Sequence, residues 1–289
     1  MTLAEHVAAG RSRLATAGVD AALAALDAEV LARSLLGWDR AGYLARARDP
    51  APTWFGERYR AWLERRAGRE PVSQIVGRRE FWGLEFEVTR DVLTPRPETE
   101  LVVEEALDCV AAMRAGGRPP RSIVDVGTGT GCLAISLARE VSGAWVIATD
   151  TSPAALAVAR RNARAHGVGA RVALVQASLV DAIAGPIDMI VSNPPYVPAA
   201  DLAALPPEVR NFEPEMALAG GLDGLDVIRD LVNQAQRALA PGGWLVFEFG
   251  AGQEPGVRAA VARCRALDLV RVRADLQGIP RTAVVRHLR

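Results

Sequence analysis

Apolar residues recur at helical spacing over the N-terminal part of the chain. Residues 3–14 carry leucine and valine on one face, and this pattern predicts an amphipathic helix. Asp20 is a favourable N-cap for a second helix that ends at Gly37, and residues 54–66 predict a third helix. Short helices joined by loops are typical of a small bundle. We therefore predict an N-terminal helical domain over residues 1–80.

Apolar and polar residues alternate over residues 81–88, with Gly83 inside the pattern. Period-two alternation around a glycine favours two short strands joined by a turn. We predict that residues 81–93 form a β-hairpin linker between the helical domain and the rest of the chain. A helical pattern follows over residues 98–114, and the glycine- and proline-containing stretch 116–120 ends it.

The remaining sequence alternates between short apolar runs and amphipathic segments. This alternation predicts a mostly parallel sheet with helices on both faces. Two further apolar segments near the C-terminus predict an antiparallel pair of strands. The fold class that we expect for residues 94–289 is therefore α/β. The apolar runs that predict buried strands are residues 123–126, 144–148, 172–175 and 187–191.

Composition and charge narrow the functional classes. The 289 residues contain 34 basic and 34 acidic side chains, and every basic one is an arginine. Zero formal charge argues against a protein that grips long duplex DNA, which needs a basic face. Cys109, Cys132 and Cys264 are scattered, so we expect neither a disulfide nor a metal site. No signal peptide or membrane span is recognisable, and we expect a cytoplasmic protein.

A rigid polar motif follows the apolar run at residues 187–191. In Asn193-Pro194-Pro195-Tyr196 the two prolines lack backbone N–H groups and have a fixed φ, so the strand must end there. Asn193 then lies at the carboxyl edge of the sheet, where ligands bind in open α/β folds. Its side chain offers one acceptor oxygen and two donor hydrogens. We predict that this turn grips a planar NH2 group, with Tyr196 stacking on the substrate.

A glycine-rich loop forms the second motif, between the apolar run at residues 123–126 and a helical pattern. A loop between a strand and a helix N-terminus brings backbone close to a ligand. Its glycines alternate, unlike the dinucleotide-binding fingerprint, and Asp125 precedes them. Asp150, at the end of the next apolar run, can accept two hydrogen bonds from a ribose diol. A tight turn without a ligand is the alternative explanation for this loop, which consists of Gly127-Thr128-Gly129-Thr130-Gly131.

Together these motifs resemble the class I S-adenosylmethionine-dependent methyltransferases, which have a Rossmann-like fold. Two further segments resemble signatures of the PrmC/HemK family. They are residues 92–100, Val-Leu-Thr-Pro-Arg-Pro-Glu-Thr-Glu, and residues 212–218, Phe-Glu-Pro-Glu-Met-Ala-Leu. The resemblance covers nearly the whole chain and is weakest over residues 1–70. It implies methylation of glutamine N5 in the Gly-Gly-Gln loop of class 1 peptide chain release factors.

The resemblance also implies a cofactor, S-adenosylmethionine, and a set of site residues. The catalytic motif is Asn193, Pro194, Pro195 and Tyr196. Asp125 and the glycine loop are implied to lie at the methionine end of the cofactor and Asp150 at its ribose. The adenine is implied to lie against Ser178, where the family often has an acid. The residues implied to bind the cofactor are Asp125, Gly127, Thr128, Gly129, Thr130, Gly131, Asp150, Ser178, Leu179 and Asn193.

A release factor is the partner that the resemblance implies, gripped by the helical domain. We expect a monomer that binds no nucleic acid stably. Residues 58–69 contain five arginines, which either form a solvated helix face or meet an acidic or RNA-bearing partner. Arg96 and Glu98 either pair with each other or touch cofactor and substrate. Residues 212–214 are expected to shape the floor beneath the pocket.

Three other functions fit some of the same motifs. A sister family with these motifs methylates glutamine in a ribosomal protein. Asn-Pro-Pro-Tyr also serves N6-adenine methylation of DNA or RNA, although a base-flipping enzyme normally has a more basic surface. A non-catalytic cofactor-binding or docking protein is the third alternative, and the intact motifs argue against it.

Overall fold

The computed structural model describes residues 1–288, and these residues form two compact units. The helical unit consists of Met1–Arg78 together with Pro206–Phe212. The sheet unit consists of Arg79–Leu205 together with the chain from Glu213 onward. Within the described residues no helix is long and apolar enough to cross a membrane.

Helices dominate the helical unit, whereas strands and helices alternate in the sheet unit. The helices are α1 (Leu3–Thr16), α2 (Ala21–Leu36), α3 (Arg40–Arg46), α4 (Phe55–Ala67), α5 (Val72–Val76), α6 (Glu100–Ala115), α7 (Cys132–Glu140), α8 (Pro153–Ala165), α9 (Pro207–Arg210), α10 (Asp226–Ala238) and α11 (Glu254–Ala262). The strands are β1 (Arg78–Phe81), β2 (Leu84–Glu87), β3 (Ser122–Val126), β4 (Trp145–Asp150), β5 (Val172–Gln176), β6 (Ile187–Ser192), β7 (Leu239–Glu248), β8 (Leu267–Ala274) and β9 (Pro280–His287).

The first two helices begin at side-chain caps. Oγ1 of Thr2 accepts a hydrogen bond from the Glu5 N–H, and the Thr2 N–H donates to Oε2 of Glu5. Asp20 accepts hydrogen bonds from two N–H groups in the first turn of α2, which ends at Gly37 in a left-handed conformation. Each cap satisfies N–H groups that have no partner inside the helix, and so determines where the helix begins.

The core of the helical unit is built around Phe55 and Tyr59 of α4. Their rings stack with centroids 5.1 Å apart, and Leu14 and Leu31 are buried in the same cluster. The Tyr59 hydroxyl donates to the Ala28 carbonyl oxygen at 2.9 Å. The ring therefore contributes its apolar area to the core without burying an unsatisfied hydroxyl.

An arginine network holds α9 within the helical unit. Arg66 is only 4% exposed, and its guanidinium donates to Asp27 at 2.7 Å and to Glu208 of α9 at 3.0 Å. Arg69 also donates to Glu208, at 2.9 Å. The expectation that the arginines of residues 58–69 form a solvated helix face is therefore wrong for Arg66. Its burial is possible because two carboxylates compensate its charge.

The sheet unit is built on a seven-stranded sheet with the strand order β5-β4-β3-β6-β7-β9-β8. The strands β3, β4, β5, β6 and β7 pair in parallel, and β9 is antiparallel to both β7 and β8. The predicted α/β fold is thus confirmed, including its C-terminal antiparallel pair. The strand order reverses between β3 and β6, and such a switch leaves a crevice at the carboxyl ends of the two strands.

Successive residues of the central strands are buried on opposite faces of the sheet. On β3, Ile123 joins a cluster that contains Val102 of α6 and Leu137 of α7. The next residue, Val124, joins a second cluster that contains Ile228 of α10. Since neighbouring side chains of a strand point to opposite faces, covering both faces requires apolar residues at every position. This requirement explains the continuous apolar runs in the sequence.

The strands β1 and β2 form the predicted hairpin. Trp82 and Gly83 make its turn with φ values of 54° and 68°, and positive φ at both positions suits a two-residue hairpin turn. The hairpin begins at Arg78, earlier than the alternating pattern predicts. The first residues of β1 are charged and exposed, so they carry no apolar signal. Beyond the hairpin, Val88 and Val92 are buried together with residues of α8.

Candidate active site at the carboxyl edge of the sheet

A cavity of about 270 Å³ opens at the carboxyl ends of the parallel strands. Its position agrees with the crevice that the reversal of strand order creates between β3 and β6. A second, smaller cavity shares Asn193 with it and is lined by Asp125, Thr128 and Thr130. The predicted site residues that line the larger cavity are Gly127, Gly129, Asp150, Ser178, Leu179, Asn193, Pro194 and Pro195.

Asp125 is a buried acid near the end of β3. Its Oδ2 accepts hydrogen bonds from the Thr128 hydroxyl at 2.6 Å and from the Ala134 N–H at 3.1 Å. Its Oδ1 is buried without a partner. Burial raises the pKa of Asp125 to about 7, although both donors oppose the rise. A buried carboxylate oxygen without a partner costs free energy, so it favours a ligand that brings a donor or a positive charge.

The glycines of the loop have different physical roles. Gly127, Gly129 and Gly131 have φ values of 69°, 54° and 84°, in the left-handed region that favours glycine. A Cβ on Gly127 or Gly129 would meet nothing within 4 Å. A Cβ on Gly131 would lie 3.0 Å from Ile135 Cδ1 and 3.2 Å from Ala159 Cβ. The first two glycines therefore leave room in front of the loop, whereas Gly131 allows α7 to pack against α8.

Asp150 ends β4 and shapes both the loop and the cavity. Its Oδ2 accepts a hydrogen bond from the Gly129 N–H at 3.0 Å, and its Oδ1 accepts one from the Ser152 N–H at 2.9 Å. The N-cap of α8 is Ser152, whose hydroxyl oxygen accepts a hydrogen bond from the Ala155 N–H. Each oxygen of Asp150 can accept a further hydrogen bond, as contact with a diol requires.

The loop after β5 is held from two directions. Leu179 has a φ of 50°, and its carbonyl oxygen accepts a hydrogen bond from the Thr149 hydroxyl at 2.8 Å. The Val180 N–H donates to Oε1 of Gln234 at 3.1 Å. A leucine in the left-handed region persists only where its surroundings hold it. The loop therefore presents a defined surface to the cavity. It does so without an acidic side chain, because residue 178 is Ser178.

The Asn193 side chain is held by a buried hydrogen-bonded chain. Its Nδ2 donates to Oγ1 of Thr99 at 2.9 Å, and the Thr99 hydroxyl donates to Oε2 of Glu248 at 2.6 Å. Within residues 1–288, Oδ1 of Asn193 has no hydrogen-bond partner. Burial raises the pKa of Glu248, and the hydroxyl donors act against the rise. The acceptor atom of Asn193 is therefore the one that remains available at the cavity.

Tyr196 anchors the diproline turn. Its hydroxyl donates to Oε1 of Glu248 at 3.0 Å, and its carbonyl oxygen accepts from Nε2 of Gln253 at 2.8 Å. The ring packs against the apolar cluster beneath the sheet. Burial is the main cause that raises the pKa of Tyr196, together with the nearby Glu248. Tyr196 does not line the larger cavity, and its stacking on the substrate stays a prediction.

Arg96 pairs with an acid that is distant in sequence. Its guanidinium donates to Oε2 of Glu213 at 2.6 Å, and the Thr94 N–H lies 3.4 Å from Oε1 of the same carboxylate. Arg96 was expected either to pair with Glu98 or to touch cofactor and substrate. In the structure Arg96 does form an ion pair, but its partner is Glu213 and not Glu98. Pro214, which follows Glu213, lines the larger cavity, as expected for a residue that forms part of its floor.

Several site residues were missed by the reasoning from sequence. Thr99 lies within the signature segment 92–100 and Glu213 within 212–218, but neither was assigned a hydrogen-bonding partner, and Thr149, which precedes Asp150, was assigned no role. Glu248 did carry a signal, because it interrupts the apolar run of β7 with an acid that is 1% exposed. An acidic residue is unusual within a buried strand, because burying a charge costs free energy. It therefore marks a position with a specific role.

The site fits S-adenosylmethionine. Oδ1 of Asp125 lacks a partner and suits an ammonium group, while Asp150 can accept hydrogen bonds from a ribose. The open space at Gly127 and Gly129 lets a ligand approach the loop backbone. A mostly parallel sheet with a cavity at the carboxyl ends of its strands is the arrangement of the class I methyltransferases.

Comparisons with curated proteins agree with this class. The chain is 44% identical to the release factor glutamine methyltransferase of Cereibacter sphaeroides, over 99% of both chains. It is 43% identical to the protein of the same name from Geobacter sulfurreducens, over 94% of this chain and 92% of that one. The chain belongs to the family of release factor glutamine methyltransferases.

Family and structural comparisons separate the two parts of the chain. Residues 5–77 match the PrmC N-terminal domain, and residues 105–204 match the methyltransferase small domain. A solved methyltransferase from Pyrococcus furiosus has a TM-score of 0.51 and 17% sequence identity. It covers 72% of this chain and 90% of its own, and at this identity the likeness concerns the fold alone.

Proposed function

We propose that this protein transfers a methyl group from S-adenosylmethionine to N5 of the glutamine in the Gly-Gly-Gln loop of a class 1 peptide chain release factor. The observation that carries the proposal is the held amide of Asn193. Its Nδ2 is bound to Thr99, so Oδ1 remains for a substrate at the cavity. The names of the relatives from Cereibacter sphaeroides and Geobacter sulfurreducens support this choice of substrate.

S-adenosylmethionine supplies a methyl group that its positive sulfur has already activated. The protein therefore has mainly to align the acceptor and stabilise developing charge. An amide nitrogen is a poor nucleophile because its lone pair is delocalised into the carbonyl. In our proposal Oδ1 of Asn193 and the carbonyl oxygen of Pro194 accept its two hydrogens. These acceptors orient the nitrogen and favour the positive charge that grows on it. The proton leaves to water afterwards, and no histidine or lysine base is required.

Each part of the chain has a role in this proposal. The helical domain, residues 1–80, grips the release factor, and residues 81–93 link it to the methyltransferase domain, residues 94–289. The match of residues 5–77 to a domain characteristic of this family supports the first role. We further propose that the enzyme is a monomer, that it binds no nucleic acid stably, and that it works in the cytoplasm, where release factors act.

A labelling experiment with three acceptors tests the proposal. The protein is incubated with radiolabelled S-adenosylmethionine and, in separate reactions, a class 1 release factor, a ribosomal protein preparation and DNA. We expect label on the release factor, and none on a matched release factor whose Gly-Gly-Gln glutamine is replaced by alanine. Label on DNA alone, or on the ribosomal proteins alone, would refute the proposed substrate.

A further inference from the structure

The direction of the hydrogen bonds around Thr99 is set by Glu248. An ionised carboxylate can only accept hydrogen bonds. Burial raises the pKa of Glu248, but hydroxyl groups at both of its oxygens favour the ionised form, and in that form the single hydroxyl proton of Thr99 is committed to Oε2 of Glu248. Oγ1 of Thr99 then has only lone pairs to offer to Asn193, and it accepts the hydrogen bond from Nδ2. The Tyr196 hydroxyl occupies the other oxygen of Glu248 as a second donor.

Packing around Asn193 does not select one of the two orientations of its amide group. The oxygen and the NH2 group have nearly the same size, and half a turn of the amide exchanges them. The hydrogen-bonding partner alone distinguishes the two. Thr99, acting as an acceptor, draws the NH2 group inward and leaves Oδ1 at the cavity. A donor in the same place would draw the oxygen inward and leave the NH2 group at the cavity.

We infer that Glu248 and Thr99 are positioning residues that turn the Asn193 oxygen toward the amide to be methylated, an inference that rests on the function proposed above. With the oxygen outward, Asn193 accepts a hydrogen from the substrate NH2 group. With the NH2 group outward, two NH2 groups would face each other as donors, and the substrate nitrogen would lose an acceptor that orients it.

The burial of the pair agrees with an indirect role. Thr99 is 2% exposed and Glu248 is 1% exposed; neither lines the larger cavity, and Thr99 borders only the smaller one beside Asn193. Water therefore does not compete for the hydrogen bonds that connect them, and each bond is stronger than it would be at a surface. Both residues act on the reaction through Asn193.

The variant Thr99→Val tests the inference with little change of shape. Valine replaces the hydroxyl with a methyl group, so it neither accepts from Asn193 nor donates to Glu248. We expect kcat on a release factor to fall on the order of 10- to 100-fold, as when a partner that orients a functional group is lost. The dissociation constant of the cofactor, measured by calorimetry, is expected to stay unchanged. Thr99→Ser restores the hydroxyl and is expected to recover most of the lost rate.

A matched control lies on the neighbouring strand. Thr282 on β9 is fully buried and pairs in register with Glu248, but its hydroxyl makes no hydrogen bond. Thr282→Val therefore makes the same chemical change beside the same carboxylate without touching the chain to Asn193. We expect it to methylate the release factor at the wild-type rate.

A double-mutant cycle separates positioning from a general structural role. If Thr99 acts through Asn193, then adding Thr99→Val to Asn193→Ala lowers kcat no further. A residue that only supports the fold would lower it again. Glu248→Gln is the second variant of the cycle: glutamine keeps the size of the side chain but brings a donor. We expect the same loss of kcat and the same absence of a further loss in the Asn193→Ala background.

Three results would overturn the inference. They are wild-type turnover by both Thr99→Val and Glu248→Gln, additive losses in the cycle, and a loss of cofactor affinity that equals the loss of kcat. In each of these the wild-type protein still labels the release factor glutamine, so the proposed function stands. If the wild-type protein labels no glutamine, the proposed function fails, and the inference fails with it.

Discussion

Oδ2 of Asp150 accepts a hydrogen bond from the Gly129 N–H at 3.0 Å, so the end of β4 is tied directly to the glycine loop after β3. The preceding residue strengthens this tie: the carbonyl oxygen of Thr149 accepts hydrogen bonds from the N–H groups of Gly127 and Thr128, both at 2.9 Å. Two motifs that are separate in the sequence therefore form one structure at the cavity, and the loop conformation depends on Asp150.

Asp150→Ala is expected to weaken cofactor binding before it affects the chemical step. The variant removes an acceptor at the cavity and also frees the Gly129 N–H, so the loop loses part of its support. We expect the dissociation constant of S-adenosylmethionine to rise by about 10-fold or more, which corresponds to the loss of one hydrogen bond to a charged group. Calorimetry measures the constant. Asp268→Ala, at an exposed position of β8, is the control and should bind like the wild type.

Asn193→Ala should show the opposite pattern. The variant removes the amide oxygen that orients the substrate nitrogen but leaves Asp125, the glycine loop and Asp150 in place. We expect kcat to fall by at least ~10²-fold, the typical effect of one lost oriented group, with unchanged cofactor affinity. Single-turnover methylation together with calorimetry separates the two quantities. An equal loss of cofactor affinity would make Asn193 a structural or cofactor residue.

Cofactor affinity should depend on pH through Asp125. The pKa of its carboxyl group in the free protein is about 7, because burial disfavours the charged form. A positive ligand group beside Oδ1 favours the ionised carboxylate, so binding strengthens as pH rises through 7 and weakens below it. Calorimetry between about pH 6 and pH 8 should also detect protons released on binding at the acid end. Asp125→Asn should bind more weakly and with little pH dependence; a flat wild-type profile would contradict this account.

Alanine substitutions at two glycines of the same loop should have different effects. A Cβ on Gly131 would press against Ile135 and Ala159, so Gly131→Ala should lower the free energy of unfolding by about 1–3 kcal/mol in addition to the backbone cost of its positive φ. A Cβ on Gly127 would project into open space. Gly127→Ala bears only the backbone cost of about 1–2 kcal/mol but obstructs the ligand. Gly131→Ala should therefore be the less stable variant in thermal unfolding, whereas Gly127→Ala should bind the cofactor more weakly in calorimetry. If one variant were worse in both measurements, the assigned roles would be contradicted.

The buried arginine of the helical unit should matter more for stability than an exposed one. Arg66→Ala leaves the carboxylates of Asp27 and Glu208 without the cation that compensates them. We expect the free energy of unfolding to fall by roughly 3–5 kcal/mol. Arg13→Ala is the control: Arg13 and Glu64 form an exposed pair that water and salt screen, so its loss should change the free energy of unfolding far less than the loss of Arg66. Equal losses in chemical denaturation would show that burial of Arg66 is not the cause.

The extent to which the site could be predicted differs from residue to residue. Asp125, Asp150 and Asn193 were placed at one edge because parallel strands end there together, and a strand can be recognised from its own apolar run. Arg96 was assigned to a site segment, but not to Glu213, which is 117 positions away in the sequence. Nothing local to either residue indicates the other, because an ion pair of this kind exists only after the chain has folded.

Local interactions determined the features that the sequence revealed by itself. Caps, glycine turns and the alternation of strands with helices depend on residues a few positions apart, and each of them leaves a pattern in the sequence. Only the tertiary structure decided the partners of Asn193. Thr99 lies 94 positions before it, and Glu248 lies 149 positions after Thr99. The orientation of one amide therefore depends on contacts between segments that are brought together by packing of the sheet and its helices.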